Sequence, residues 1–122
     1  MELKRIRGFS MIYIGKNINS FYFDGIPSDL SAYNIKAIPS YLYLTPTKLP
    51  NSLEKLGDKC IKLEKEETTI IFNGSKEEWR SIYKSDWIGK PREVWTATLH
   101  INCDDGMITY HIDERENIEE VE

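Results

Sequence analysis

Residues 95–116 read WTATLHINCDDGMITYHIDERE. From Glu93 to Asn102 and from Met107 to Asp113, apolar and polar residues alternate around Asp104-Asp105-Gly106. Alternation on both sides of a short Gly-containing turn is the signature of a β-hairpin with one buried face. A two-residue Asp105-Gly106 turn puts Ala97, Leu99, Ile101 and Cys103 on one face with Ile108, Tyr110 and Ile112. The other face then carries Thr98, His100, Asn102, Asp104, Met107, Thr109, His111 and Asp113, with His100 directly opposite His111.

Upstream of the hairpin, Ser75-Lys76-Glu77-Glu78 is a capping box, with two carboxylates in the first helical turn. Trp79, Ile82, Tyr83 and Trp87 follow at i, i+3, i+4 and i+8, and Gly89 and Pro91 supply a stop. This predicts a helix over about 76–88 whose stripe packs on the apolar face of the hairpin. Asn51-Ser52-Leu53-Glu54 has the same form and predicts a short second helix stopped by Gly57. Ser28 to Ala32 predicts one helical turn.

Strands are expected over Leu3–Ile14 with a bend at Gly8, over Ser20–Asp24, and over Ala37–Thr45, where Tyr41 and Tyr43 alternate with Leu42 and Leu44. Lys59–Leu63 and Thr68–Phe72 are two more, turning through residues 65–67. Sequential hairpins without β-helix-β repeats predict an α+β fold: an antiparallel sheet of about 5–6 strands with one main helix and one short helix on one face. No internal repeat and no linker stand out, so the 122 residues are expected to form a single domain, with an acidic tail frayed after about 114.

Composition narrows the function. Charged residues make up 30% and apolar ones 40%, which excludes a disordered chain, and no run approaches the roughly 18 apolar residues of a membrane span. The N-terminus lacks a secretory cleavage pattern, and the two cysteines, Cys60 and Cys103, form no metal-binding spacing. A cytoplasmic protein with two free thiols and no cofactor is the expectation. The net charge of −4 argues against nucleic acid and anionic membrane as partners. Lys4, Arg5 and Arg7 beside Phe9 and Tyr13 are read as charges guarding a strand edge.

No nucleophile-elbow, zinc-protease, phosphate-loop or dinucleotide motif occurs. The cross-strand pair His100/His111 is the one constellation with chemical potential, as two metal ligands or as an acid and a base. A site of either kind needs a third converging group. Charge is uneven: residues 1–60 carry +3 and residues 61–122 carry −7, most of it at the C-terminal end. Asp104, Asp105, Glu114, Glu116, Glu119 and Glu120 are therefore the candidate partner-binding residues, suited to a basic protein surface. Trp95, Tyr41 and Tyr43 are candidate exposed aromatics of the kind that anchor protein partners.

The hairpin WTATLHINCDDGMITYHIDERE resembles the Trp…Asp-Gly…acidic hairpin that ends immunity proteins of the YezG-like type, in bacterial polymorphic-toxin and contact-dependent inhibition systems. The resemblance covers about a fifth of the chain. It implies a stoichiometric, non-catalytic inhibitor of a toxin domain such as a nuclease. Two other readings stand beside it: a small enzyme or metal-binding protein built on His100 and His111, and a phage or mobile-element accessory protein that binds a host factor.

Overall fold

Between residues 28 and 103 the chain visits three separate β-ladders in strict rotation. In the computed structural model the described residues are 3–6, 9–14, 17–20 and 28–121, with the backbone alone described before residue 28. The first strands are β1 Leu3–Ile6, β2 Phe9–Ile14 and β3 Asn17–Ser20, an antiparallel meander. Next come β4 Ala37–Ile38, β5 Lys48–Pro50, β6 Lys55–Leu56, β7 Ile61–Lys62 and β8 Glu67–Asn73. The single helix among the described residues is α1 Lys76–Ser81. Then follow β9 Tyr83–Lys84, β10 Ile88–Gly89, β11 Ala97–Cys103, β12 Gly106–Ile112 and β13 Ile118–Val121.

Asp29, β5, β8 and β11 form one parallel ladder; β4, β6 and β9 form a second; Leu44, β7 and β10 form the third. The chain thus winds as a short three-sided coil, each pass resting on its neighbours. Like residues stack inside it. Ile38 pairs with Leu56, Leu49 with Phe72 and Ile61 with Ile88, and all six are buried. The passes lengthen: Lys48 follows its partner Asp29 by 19 residues, Ile71 follows Lys48 by 23, and Asn102 follows Ile71 by 31. Helix α1 sits in the longest pass, between β8 and β9.

The last pass ends in the hairpin. β12 and β13 add antiparallel strands to β11, giving a mixed five-stranded sheet in the order β13-β12-β11-β8-β5. The expected antiparallel sheet of five or six strands is therefore corrected: two of the four pairings in this sheet are parallel. The two faces of the hairpin fall as the alternation predicts. Ala97, Leu99, Ile101, Cys103, Ile108, Tyr110 and Ile112 are all buried. The turn, however, is Asp104-Asp105, which pairs Cys103 with Gly106 and shifts every partner by two residues, keeping the faces and changing the neighbours.

Helix α1 begins as predicted. The Ser75 hydroxyl accepts from the Glu78 N–H at 3.1 Å and the Glu78 carboxylate accepts from the Ser75 N–H at 3.0 Å. It stops after one and a half turns, well short of residue 88, because Ile82 turns extended (φ −69°, ψ 128°) and the Tyr83 N–H donates to Glu54 O at 2.9 Å. Ladder bonding outcompetes helix propagation at a β-branched and an aromatic residue, both modest helix formers. The Lys84 ammonium then donates to the carbonyls of Trp79 (2.6 Å) and Ile82 (3.0 Å) at the helix end, the Trp79 carbonyl also accepting from the Ile82 N–H at 3.2 Å. Trp79, Ile82 and Trp87 stay buried as expected, while Tyr83 is 62% exposed. Trp79 centres an edge-to-face aromatic chain running Phe72–Trp79–Trp87–Tyr110, with centroids 5.2, 5.6 and 5.5 Å apart.

Other expectations change. No helical turn forms over 28–32, where Asp29 bridges Lys48. The strands at 61–62 and 67–73 do not pair with each other but join separate parallel ladders. No helix forms over 51–57: Lys55–Leu56 is β6, and Leu53 and Leu56 are buried from a turn and a strand. The strand expected over 37–45 is confined to Ala37–Ile38, and Tyr41 and Tyr43 adopt left-handed backbone. The acidic end is not frayed after 114, since Ile118–Val121 pairs with β12. The Asp113 carboxylate holds the bend before β13, accepting from the N–H groups of Arg115 and Asn117 at 2.9 Å each. The expected strand over 20–24 lies outside the described residues beyond Ser20, as do Gly8 and the side chains of Lys4, Arg5 and Arg7.

Candidate functional site

The outer face of the five-stranded sheet is open, and its residues line up in rows across the strands. One row is Lys48, Ile71, Asn102 and Met107. The next is Thr69, His100, Thr109 and Val121. A third is Glu67, Thr98, His111 and Glu119. Strands about 4.8 Å apart and a rise of about 3.3 Å per residue give this face roughly 400–500 Å². Ile71, Met107 and Val121 are exposed on it, large apolar side chains with no covering layer among the described residues.

His100 and His111 are not opposite each other. The two-residue shift of the turn places Thr109 across from His100 and Thr98 across from His111. The histidines become diagonal neighbours, whose side chains start about 7–8 Å apart. His100 is instead held at both ring nitrogens, Nδ1 to the Thr109 hydroxyl and Nε2 to the Glu67 carboxylate, each at 2.9 Å. Glu67–His100–Thr109 is a carboxylate–imidazole–hydroxyl chain lying flat on a strand surface, with Glu67 73% exposed. The two bonds pin the ring. No group of three or more His, Cys, Asp or Glu side chains among the described residues is placed to hold a metal ion.

The six acidic candidates are spread along the hairpin rather than gathered. Asp104 and Asp105 sit at the turn, where the Asp104 N–H donates to Gly74 O (2.8 Å) and the Asp105 carboxylate accepts from the Lys76 N–H (2.8 Å). Asp105 is thus bound to the first residue of α1. Glu114 and Glu116 lie beyond the other end of β12, about 30 Å of extended chain from Asp105. Glu116 is ion-paired to Lys59 at 2.8 Å, and Glu120 makes a two-pronged bond to Arg80 at 3.3 and 3.2 Å. Asp104, Glu114 and Glu119 are exposed, and Glu119 stands beside His111 on the outer face.

Lys59 anchors a corner of the coil, where residues 41, 43, 59, 86 and 116 meet. It pairs with Asp86 and Glu116, both at 2.8 Å, and donates to Ile88 O at 3.2 Å. Burial opposes its charge, yet the hydrogen bonds it donates to the Asp86 and Glu116 carboxylates hold its pKa above the ordinary lysine value. Trp95, a further expected aromatic, is 69% exposed just before β11. A surface groove of about 400 Å³ opens between β7 and β8, lined by Thr45, Thr47, Lys62, Lys65, Glu67 and Thr69 among others.

Sequence reasoning missed two features of this surface. Thr69, Ile71 and Glu67 join the outer face because β8 lies parallel beside β11, a pairing that no local pattern announces. The Lys59 corner gathers residues 41, 43, 59, 86 and 116, far apart in the chain. Comparisons with protein families, with curated proteins and with solved structures found no match to this chain.

Proposed function

We propose that the chain is a non-catalytic binding protein acting as an immunity protein: a stoichiometric inhibitor that covers the basic surface of a bacterial toxin domain, a nuclease being the target its charge suits best. The observation that carries this reading is the acidic C-terminal end laid down as β13 on the sheet edge, with Glu119 and Val121 continuing the open face of Ile71 and Met107. Exposed apolar side chains on a sheet face whose far row carries Glu67 and Glu119 suit a partner that brings basic groups, and a strand framework keeps the ordering cost of binding low. Long-range attraction between opposite charges would speed the encounter. The weak hairpin resemblance to immunity proteins agrees with it. The setting proposed is the cytoplasm; no helix among the described residues is long and apolar enough to cross a membrane.

The test is co-expression with the C-terminal domain encoded by the gene immediately upstream. Protection of the host, a one-to-one complex and an association rate that falls with salt support the reading. A protein that binds nothing but turns over a nucleotide or ester substrate, with the activity lost in His100→Ala, would replace it by the enzyme reading. That second reading rests on the Glu67–His100–Thr109 chain alone.

A further inference from the structure

Among the described residues, four non-glycine positions have left-handed backbone: Tyr41 (φ 63°), Tyr43 (φ 50°), Lys59 (φ 49°) and Glu116 (φ 65°). All four meet at one corner of the coil. The Tyr41 N–H donates to Asp58 O at 2.6 Å, the Tyr43 N–H donates to Lys59 O at 3.2 Å, and the Lys59 ammonium reaches Glu116. Left-handed backbone is unfavourable for any residue with a β-carbon and easy for glycine. Strain concentrated in one place points to a use for the side chains it carries.

Two of those side chains are turned to solvent. Tyr41 is 59% and Tyr43 49% exposed, and their rings lie 6.5 Å apart, tilted by 48°. Tyr43 is steadied by Gly89, where an added β-carbon would stand 3.2 Å from the ring. Two outward phenols held at positions where glycine would fold more easily form a rigid aromatic platform, the kind of side chain that anchors interfaces. The charge beside it is acidic on the outside. The Lys59 side chain is only 19% exposed, beneath Asp86 at 57% and Glu116 at 31%.

An arginine matches both halves of this surface. Its planar guanidinium stacks on a tyrosine face and donates in parallel to a carboxylate; a lysine offers neither geometry. Glu116 ties this corner to the sheet edge, since it pairs with Lys59 and lies two residues before β13. The open sheet face, at roughly 400–500 Å², supplies only about half of the ~800 Å² one partner usually contributes to a stable interface.

We propose that the Tyr41–Tyr43 corner, with Asp86 and Glu116 beside it, receives an arginine side chain of the protein partner. This rests on the binding-protein reading and names the chemistry of its anchor.

The experiment is an NMR titration of the full chain with the peptide acetyl-Gly-Arg-Gly-Arg-Gly-amide and with its lysine counterpart. Saturable shifts confined to Tyr41, Tyr43, Asp86, Gly89 and Glu116, with the lysine peptide weaker by about fivefold, are expected from the stacking contribution. Tyr41→Gly/Tyr43→Gly should keep or raise the thermal midpoint while losing the shifts. Tyr41→Leu/Tyr43→Leu, which keeps bulk and backbone restraint, should lose the preference for arginine. Shifts spread over Glu114, Glu119 and Glu120, equal binding of both peptides, or undiminished binding by the glycine variant would each overturn the proposal. Wild-type failure to protect in co-expression removes the binding reading itself. Protection by wild type and by the glycine variant alike removes the corner alone.

Discussion

The indole N–H of Trp79 donates to the hydroxyl of Tyr110 at 2.8 Å, joining helix α1 to β12 inside the core. Trp79 is fully buried and Tyr110 nearly so, so neither group has water as an alternative partner. Tyr110→Phe removes the acceptor and strands the indole donor. A loss of about 1–3 kcal/mol is expected, the penalty for one unsatisfied buried polar group. Urea denaturation checks it: the midpoint falls while the slope stays constant. An unchanged midpoint would mean that water reaches Trp79.

The two faces of the five-stranded sheet should respond differently to truncation. Leu99→Ala and Ile101→Ala empty fully buried positions and are expected to cost about 2–5 kcal/mol each. Thr69→Ala and Thr98→Ala on the open face should stay within about 1 kcal/mol. Comparable losses on both faces in the same denaturation assay would show the outer face to be covered as well.

Alkaline stability should carry opposing contributions, with Lys84 on one side and Cys60 among the groups on the other. Burial depresses the Lys84 pKa to about 8, so between there and the usual lysine value near 10.4 the unfolded chain binds a proton that the folded chain has released. Stability from this group rises with pH across that window. Burial pushes the Cys60 thiol up to about 12, so above about 8.5 the folded chain keeps a proton that the unfolded chain loses, and stability falls with pH. Lys84→Met removes the first contribution and leaves the second. The variant should therefore lose stability more steeply than wild type between pH 8 and 10.5; parallel curves would contradict the assignment.

Acidic residues at the C-terminal end should separate into two groups. Glu116→Lys sets a second ammonium against Lys59 and removes one of its ion pairs, an expected loss of about 1–3 kcal/mol. Glu119→Lys, exposed beside His111, should leave the melting midpoint unchanged and slow association with a basic partner, most strongly at low salt. Calorimetry and stopped-flow measurements at two salt concentrations distinguish the two. A folding defect from Glu119→Lys would assign it a structural role instead.

What the sequence disclosed follows the range of the interactions. The hairpin faces and the Ser75–Glu78 box depend on neighbours a few residues apart, and both stand where the pattern put them. Parity survived even though the turn moved by one residue, because a register shift of two preserves the faces. The His100/His111 pairing did not survive, since it depended on that same shift. The end of α1 at Ser81 was illegible because the Glu54 carbonyl that captures Tyr83 lies 29 residues upstream. The coil was hidden for a related reason. Its passes of 19, 23 and 31 residues share no period, and a ladder of two-residue strands leaves almost no alternation to detect. Of the candidate site, the acids were visible as a composition bias, while their bonds to Lys59, Arg80 and α1 were not.

The antiparallel hairpin at the end of the coil covers the edge that a parallel β11 would otherwise leave unpaired. A pass of parallel strands presents the same bonding edge to whatever follows it, so β11 with nothing beside it would be a template for the first pass of another copy, and copies could add head to tail without limit. β12 occupies that edge running the opposite way, and β13 closes it with Glu119 and Glu120, whose charges repel a second acidic edge. A chain ending after Cys103 should accordingly form fibres where the whole chain stays dispersed. The segment proposed to meet a partner would then also be the one that keeps copies of the chain apart.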